Sequence, residues 1–420
     1  MAQTSDAGPD GSGTAAPRVS LRDLARVFLR ISLLGFGGPS AHIALMLDEV
    51  VEKRRWVTRE HFLELVAVTN LLPGPNSSEL AIHLGYTQRG VRGGLASGLA
   101  FLLPTFVIVT VLSALYFRLG ALPAVEGLFW GLKPMIVAII MAAGFKLGRA
   151  AVSDALLGAL AALGVVVAIW LQGGELAAMA AGGLVGWIAY GRDRPAANDG
   201  AGTGPLGAAP ALLLLAGSAA AKKTPLLKIP MLALPMIPAL ALGTIGKLFW
   251  LTLWTGSVLF GGGYMLVALI EPYVVGQYGW LTASQFLDGI ALTQSAPGPI
   301  VMLVTFVGYA VAGVAGATVA TVGIYLPSFA AVFVVAPFLE RWRRIDALRA
   351  VLKGVNAVAA GAIIGVAVAL GRTAVPDVIA LVLLAAALVA SLRFGVGAAW
   401  LVVAGLLAGL TKQLLLLAGA

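Results

Sequence analysis

The sequence Pro73-Gly74-Pro75 interrupts a long apolar stretch, and this interruption limits the possible folds more than any other feature of the chain. Each proline lacks an N–H donor and disfavours helical geometry at the residue before it, while the glycine between them tolerates a positive φ. A helix must therefore end and restart here. Polar side chains flank the break, from Asn70 on one side to Glu79 on the other. At membrane depth such a break is tolerated only where protein or a cavity surrounds it.

The composition of the chain places this break in a membrane protein. The 420 residues are 60% hydrophobic and 11% charged, whereas about 25% of residues are charged in a typical soluble domain. Apolar runs of membrane-spanning length recur, so we predict an all-α, polytopic helical membrane protein with about 10–13 hydrophobic segments. The absence of cysteine excludes disulfides, thiolate metal sites and thiol catalysis.

The break occurs a second time, because the chain contains an internal repeat. Phe36-Gly37-Gly38 matches Phe260-Gly261-Gly262, and at the same spacing Pro73-Gly74-Pro75 matches Pro297-Gly298-Pro299. Two broken helices at corresponding positions are the mark of a duplicated transporter unit with one site between its halves. After the loss of one residue the match continues through three further pairs: Pro104 with Pro327, Gly131 with Gly354, and Gly148-Arg149 with Gly371-Arg372.

The repeat divides the chain into two homologous membrane units. We predict a first repeat at 21–190 and a second repeat at 246–420. A polar linker at 191–209 and a Pro-rich membrane segment at 210–245 are expected between them. Residues 1–20 are polar and lack an apolar core, so we expect a disordered tail and not a signal peptide.

Basic residues are distributed unequally between the two repeats. Lys53-Arg54-Arg55 follows the first apolar segment, whereas the aligned residues 277–279 of the second repeat contain no Lys or Arg. Farther along the chain the bias reverses at Arg341-Trp342-Arg343-Arg344. Because basic loops face the cytoplasm, the two repeats are predicted to have inverted topology, with the N-terminus in the cytoplasm.

Two helical hairpins are predicted in the first repeat. Residues 21–52 carry basic residues near both ends. This segment therefore either enters the membrane and returns, with its turn at 35–39, or crosses it and leaves its arginines outside, against the charge rule. Residues 61–88 are predicted to form a second hairpin around Pro73-Gly74-Pro75, because basic residues flank this segment on both sides.

The helix that restarts after Pro75 is the candidate binding element. Its first turn carries free N–H groups and a partial positive charge. Asn76, Ser77 and Ser78 are residue types that cap helices. They either cap a kinked helix or form, with the N–H groups, a cradle for an anion. The repeat favours the cradle, because inversion brings two such helix starts together near the midplane. The glycines of the Phe-Gly-Gly breaks serve close packing or expose N–H groups to the same anion.

Few ionisable side chains lie in the apolar segments. His42 is either a structural histidine or, with Glu79, a proton carrier or substrate contact. Lys133 is either a functional intramembrane charge or a snorkelling lysine. We predict no catalytic residue, metal ligand or cofactor. The candidate substrate-binding residues are Phe36, Gly37, Gly38, Pro39, His42, Asn70, Pro73, Gly74, Pro75, Asn76, Ser77, Ser78, Glu79 and Lys133 in the first repeat, and Gly261, Gly262, Gly263, Gln294, Pro297, Gly298 and Pro299 in the second.

Taken together, these motifs resemble the chromate ion transporter family in its long form with two fused, inverted repeats. The resemblance covers residues 25–150 and 248–372. It rests on Phe36-Gly37-Gly38-Pro39 with Ala41-His42-Ile43, Arg55-Trp56, Asn70-Leu71-Leu72-Pro73-Gly74-Pro75 with Ser78-Glu79, Phe260-Gly261-Gly262-Gly263, and Gln294-Ser295-Ala296-Pro297-Gly298-Pro299. It implies a secondary transporter that exports chromate from the bacterial cytoplasm across the inner membrane and gives chromate resistance.

Two alternatives to chromate export remain open. One is a sulfate-type oxyanion uptake carrier, and the other, from a different class, is a polytopic membrane enzyme, against which the scarcity of clustered His and acidic residues argues. The expected partners are a chromate or sulfate-like oxyanion and the lipid bilayer. Nucleic acid is not expected, because the basic residues are scattered between apolar segments, and a homodimer is kept open as the assembly state. A dianion leaving a negative interior gains roughly 4.6 kcal/mol per 100 mV, so the membrane potential alone could drive export.

Overall fold

The computed structural model describes residues 19–36, 38–69, 72–119, 123–171, 173–191, 243–260, 262–335 and 346–418. All regular secondary structure within these ranges is helical, which confirms the predicted all-α class. Five of the described helices are long and apolar enough to cross a membrane: Asn76–Leu119, Gly127–Ala151, Ile300–Val334, Ala347–Ala374 and Ala398–Leu415. Nearly all of the predicted linker at 191–209 and the predicted membrane segment at 210–245 lies outside the described residues.

Each repeat contributes the same series of helices within the described ranges. The first repeat has α1 Leu21–Leu34, α2 Pro39–Met46, α3 Arg59–Thr69, α4 Asn76–Leu119, α5 Pro123–Ala151, α6 Ala155–Trp170 and α7 Glu175–Tyr190. The second has α8 Thr244–Val258, α9 Met265–Glu271, α10 Ala283–Ser295, α11 Leu303–Ala330, α12 Asp346–Ala374, α13 Val378–Arg393 and α14 Ala398–Ala418. Irregular turns extend α2 (Leu47–Lys53), α9 (Pro272–Gln277) and both ends of α11 (Ile300–Met302 and Ala331–Val335).

Helix α1 has one face in the protein core and one face on the surface. It begins at Ser20, whose hydroxyl accepts a hydrogen bond from the Asp23 amide at 3.1 Å and so caps the helix. One face is buried in the core through Leu24, Val27, Phe28 and Ile31. The intervening positions carry the arginines Arg22, Arg26 and Arg30. This spacing gives one apolar and one basic face.

Helix α4 is a hairpin of two arms. Gly90 has a φ of +60°, and the chain reverses there. The arms pack so closely that a Cβ on Gly85 would meet the backbone of Gly93, and the Ser97 hydroxyl donates to the Ala81 carbonyl at 2.7 Å. Helix α11 reverses in the same way at Gly313, whose φ is +57°. Glycine is needed at both turns because L residues with side chains avoid this conformation.

The base of the first repeat brings together three parts of the chain that are distant in sequence. The Arg89 guanidinium donates to the Val19 carbonyl at 2.7 Å, just before α1. The Gln88 amide donates to the Trp56 carbonyl at 3.0 Å, just after α2. The chain therefore leaves this level and returns to it twice, through α1–α2 and through α3 with the first arm of α4. These are the two hairpins predicted around the Phe-Gly-Gly and Pro-Gly-Pro breaks.

The second arms of α4 and α11 run in opposite directions. Phe117, near the end of α4, stacks on Tyr309 beside the turn of α11, with ring centroids 6.0 Å apart. At the other end, Phe333 lies 5.8 Å from Tyr86, beside the turn of α4. Each arm thus ends where the other begins. This arrangement is the predicted inverted topology of the two repeats.

Each repeat packs its fifth helix into the other. Helix α5 lies against α13 and α14, whereas its counterpart α12 lies against α6 and α7. Glycines allow the close approach, since Gly131 faces Gly405 and Gly409 and the equivalent Gly354 faces Gly182 and Gly186. Because of this exchange, neither repeat forms its helix bundle alone.

Candidate functional site

The two Pro-Gly-Pro breaks are each held by the other repeat. The Gly298 amide donates to the Gly35 carbonyl at 3.2 Å, and the Gly74 amide donates to the Leu259 carbonyl at 2.8 Å. Gly35 and Leu259 occupy equivalent positions just before the two Phe-Gly-Gly breaks. We call the Gly35–Gly298 contact the first crossing and the Leu259–Gly74 contact the second crossing. The sequence predicted that the two Pro-Gly-Pro helix starts meet each other. The hydrogen bonds instead join each Pro-Gly-Pro break to the Phe-Gly-Gly break of the other repeat.

The first crossing is lined by a histidine and a threonine. The Nε2 atom of His42 lies 2.9 Å from the Gly35 carbonyl, so this nitrogen carries the proton. The Thr105 hydroxyl donates to the Pro297 carbonyl at 2.9 Å. Gly298 has a φ of +119°, and a Cβ there would collide with the Thr105 side chain. Glycine is therefore required at this point both for its backbone conformation and for space.

The second crossing has the same geometry with different chemistry. Gly74 has a φ of +149°, and the Glu79 carboxyl and the Ser328 hydroxyl fill the space that a Cβ would need. Ser328 is the equivalent of Thr105, and both Ser328 and Glu79 are fully buried. Within the described residues Glu79 forms no ion pair. A charged carboxylate without a partner is costly in such surroundings, and an ionisable residue at membrane depth is a candidate functional group.

The sequence left two interpretations of the serines after the first Pro-Gly-Pro break, a helix cap and an anion cradle, and the structure does not show the cap. Helix α4 begins at Asn76, so Ser77 and Ser78 lie inside its first turn and are buried. The Pro75 carbonyl accepts the first hydrogen bond, from the Ser78 amide at 2.8 Å. The Ser78 hydroxyl faces the hydroxyl of Tyr325 on α11. Ser78 therefore adds a hydroxyl group to the wall of the second crossing, and the anion cradle stays a prediction.

The Phe-Gly-Gly breaks present open backbone beside the crossings. Gly38 and Gly262 have φ values of +86° and +99°, and no atom of the described chain lies within 4 Å of where a Cβ would sit. Phe36 is 51% exposed. Gly263, by contrast, packs against Ile300. Open backbone of this kind allows an anion to approach amide groups directly.

The remaining predicted residues fall into three groups. Pro39 starts α2 and Pro73 precedes Gly74, while Pro299 precedes the turn that leads into α11. The Gln294 side chain donates to the Tyr264 hydroxyl at 2.7 Å, beside the second Phe-Gly-Gly break. The predicted residues that lie outside the described part of the chain are Gly37, Asn70 and Gly261.

Lys133 belongs to a separate cluster. Its ammonium group lies 3.4 Å from the Asp288 carboxylate and donates to the Ser284 hydroxyl at 2.7 Å. The Tyr116 hydroxyl donates to the same carboxylate at 2.8 Å. Lys133 is thus neither a snorkelling lysine nor a lining residue of a crossing. It forms a buried ion pair between α5 and α10.

Sequence reasoning missed two residues that line the crossings. Thr105 and Ser328 directly follow Pro104 and Pro327, which the repeat alignment had already matched. A hydroxyl residue at the same place in both repeats was the available signal. His42 and Glu79, which were considered together as proton carriers, are divided between the two crossings, with His42 at the first and Glu79 at the second.

Both repeats of the chain are similar to one known protein family. The model of the chromate transporter family matches residues 22–187 and again residues 246–410. The chromate transport protein of Cupriavidus metallidurans is 32% identical over 385 residues, which cover 90% of this chain and 89% of the relative. The chromate transport protein of Pseudomonas aeruginosa is 34% identical over 83% of this chain and 80% of the relative.

A third relative also covers nearly the whole chain. The probable chromate transport protein of Synechococcus elongatus is 29% identical over 90% of this chain and 92% of the relative. No solved structure matches the chain. The family model covers both repeats, and each match contains one Phe-Gly-Gly break and one Pro-Gly-Pro break. The chain therefore belongs to the chromate transporter family.

Proposed function

We propose that this protein is a secondary transporter that exports chromate from the cytoplasm across the bacterial inner membrane, and that it thereby gives chromate resistance. The observation that carries the proposal is the pair of crossings, in which each inverted repeat closes the broken helices of the other. Substrate sites of inverted-repeat transporters lie where such broken helices meet. The relatives named as chromate transport proteins support chromate as the substrate.

The chemistry of the crossings suits a weakly held oxyanion. Hydroxyl groups of Ser328 and Ser78 and open backbone at Gly38 and Gly262 offer hydrogen-bond donors without a fixed positive charge. Donors of this kind can replace part of the hydration shell of a tetrahedral dianion. A site without a fixed cation also releases its ligand readily, which a carrier needs in every cycle.

We infer the orientation in the membrane from the Lys and Arg residues at the base of the first repeat. Lys53, Arg54 and Arg55 lie there beside Arg89, and the positive-inside rule places such a surface in the cytoplasm. The N-terminus then also faces the cytoplasm. A dianion that leaves from this side gains roughly 4.6 kcal/mol per 100 mV of potential, which suffices for export without ATP. Protonation of Glu79 is a second possible source of coupling, since a neutral carboxyl could donate to the oxyanion.

Uptake into inverted membrane vesicles tests the proposal. Vesicles from cells that express the protein should accumulate chromate when their interior is made positive, and vesicles without it should not. Excess sulfate as a competitor measures the substrate preference. Accumulation of sulfate with no chromate uptake would replace the proposal by a sulfate carrier, and no uptake of either anion would remove it.

A further inference from the structure

We infer that Arg55 and the cavity it lines form a loading site, where the oxyanion is captured at the cytoplasmic face before it reaches the crossings. The inference rests on the proposed function and deepens it. Arg55 belongs to the base of the first repeat and is not among the substrate-binding residues predicted from the sequence. None of the residues of the crossings is part of this site.

The cavity lies between the loop after α2 and the turn of α4. It has a volume of about 570 Å³, which admits a hydrated oxyanion. Helix α3 begins at its rim and ends at the first Pro-Gly-Pro break, so the cavity stands at the entrance of the hairpin that leads to the second crossing. Its lining residues are Val51, Arg55, Trp56, Val57, Thr58, His61, Thr87 and Gln88.

The backbone of Arg55 gives the strongest reason to assign it a function. Arg55 has a φ of +51°, and it is the one residue other than glycine with a positive φ in the described part of the chain. The equivalent residue in the second repeat is Gly279, with a φ of +57°. The fold therefore requires a left-handed residue at this corner, and glycine meets the requirement without strain. The first repeat keeps arginine despite the strain, and strain of this kind persists where a side chain has a task.

The charge of Arg55 is available to a ligand. Its neighbours Lys53 and Arg54 both contact the Glu49 carboxylate, at 3.1 and 3.5 Å. Among the described residues no carboxylate pairs with Arg55, and its side chain is exposed. His61, on the same cavity wall, lies 3.4 Å from Glu64. Arg55 is thus the cation of this cavity that has no carboxylate partner, and a guanidinium is the donor best matched to two oxygens of an oxyanion.

The second repeat lacks this chemistry at the equivalent place. The polar residues Arg55, His61, Thr87 and Gln88 correspond there to Gly279, Gln285, Ala310 and Val311. Inversion puts that counterpart on the opposite, periplasmic face. The guanidinium of Arg55 raises the local anion concentration at the cytoplasmic entrance. The equivalent corner of the second repeat has no arginine; a lysine, Lys247, lies over the ring of the neighbouring Tyr278, 6.0 Å from its centroid. The asymmetry favours loading from inside at low chromate concentration.

The test measures chromate flux from both faces for Arg55→Gly. We expect the KM for chromate at the cytoplasmic face, measured in inverted vesicles, to rise about 10- to 100-fold, which is the loss of one charged contact. The KM at the periplasmic face, measured in right-side-out vesicles, should stay unchanged. The unfolding temperature should not fall, because glycine relieves the strain. Arg55→Asn, which also tolerates this backbone conformation, serves if the glycine variant does not fold.

Arg54→Gln is the matched control. It removes the same charge one residue away, from a guanidinium that already contacts Glu49, and it should leave both KM values unchanged. An equal rise of the cytoplasmic KM in the control would show a general surface potential and overturn the loading site. An unchanged cytoplasmic KM in Arg55→Gly would overturn it too. If the wild-type protein carries no chromate, the proposed function fails, and equilibrium dialysis with labelled chromate still decides the site by comparing wild type with Arg55→Gly.

Discussion

Replacement of Gly74 by alanine tests whether the second crossing is tightly packed around this glycine. The new Cβ would collide with the Glu79 carboxyl and the Ser328 hydroxyl, and alanine at a φ of +149° is strained whatever the space. Backbone strain costs about 1–3 kcal/mol, and overpacking of a tight core costs about 1–3 kcal/mol more. We therefore expect Gly74→Ala to lower the free energy of unfolding by about 2–6 kcal/mol.

A matched control exists at the turn of α4. Gly90 also has a positive φ, of +60°, but a Cβ there would meet no atom within 4 Å. Gly90→Ala should therefore cost only the left-handed strain, about 1–2 kcal/mol. For a chain of 420 residues, an unfolding entropy of about 2.1 cal/mol/K per residue converts about 1 kcal/mol into about 1 °C of melting temperature.

The assay is thermal unfolding in detergent, followed by intrinsic fluorescence of the tryptophans. Gly74→Ala should melt about 2–6 °C below wild type and Gly90→Ala about 1–2 °C below it. Equal melting temperatures for the two variants would refute the close packing of the second crossing.

Three further predictions follow from the buried polar residues. Ser328→Ala and Ser78→Ala should each raise the KM for chromate about 5- to 150-fold, the effect of losing a contact of about 1–3 kcal/mol, and near-normal flux in both would reduce these residues to packing. Glu79→Gln should melt within about 1 °C of wild type, because no ion pair is lost within the described structure, and a larger drop would mean that the carboxyl is charged and paired. Lys133→Met should lower the free energy of unfolding by about 3–5 kcal/mol, and adding Asp288→Asn should restore most of it; a double variant as unstable as the single one would refute the ion pair.

Features of the fold that repeat along the chain could be predicted from the sequence. Pairing of the Phe-Gly-Gly and Pro-Gly-Pro motifs gave the two repeats, and the reversal of basic residues between Lys53-Arg54-Arg55 and Arg341-Trp342-Arg343-Arg344 gave the inverted topology. The hairpins followed from residues that cannot continue a helix, a local property of proline and glycine. Positions that depend on such local chemistry can be predicted from the sequence alone.

Contacts between the two repeats could not be predicted in this way. The exchange of α5 and α12 depends on glycines such as Gly131 and Gly405, whose pairing no local pattern reveals. Lys133 was recognised as unusual, but its partner Asp288 lies on a helix from the other repeat. Capping was one of two interpretations of the serines after Pro75, because sequence alone does not fix the first helical residue to within one position.

Chromate flux in proteoliposomes made from the purified protein decides whether the membrane potential drives transport. Valinomycin with a potassium gradient sets the membrane potential at constant pH, and in a second experiment a pH jump sets a proton gradient at zero potential. We expect chromate to accumulate on the positive side at constant pH and its flux to rise with the potential. Flux that follows the pH jump and ignores the potential, and that Glu79→Gln abolishes, would contradict potential-driven export. Chromate accumulation no greater than in protein-free liposomes under both gradients would contradict transport by this protein altogether.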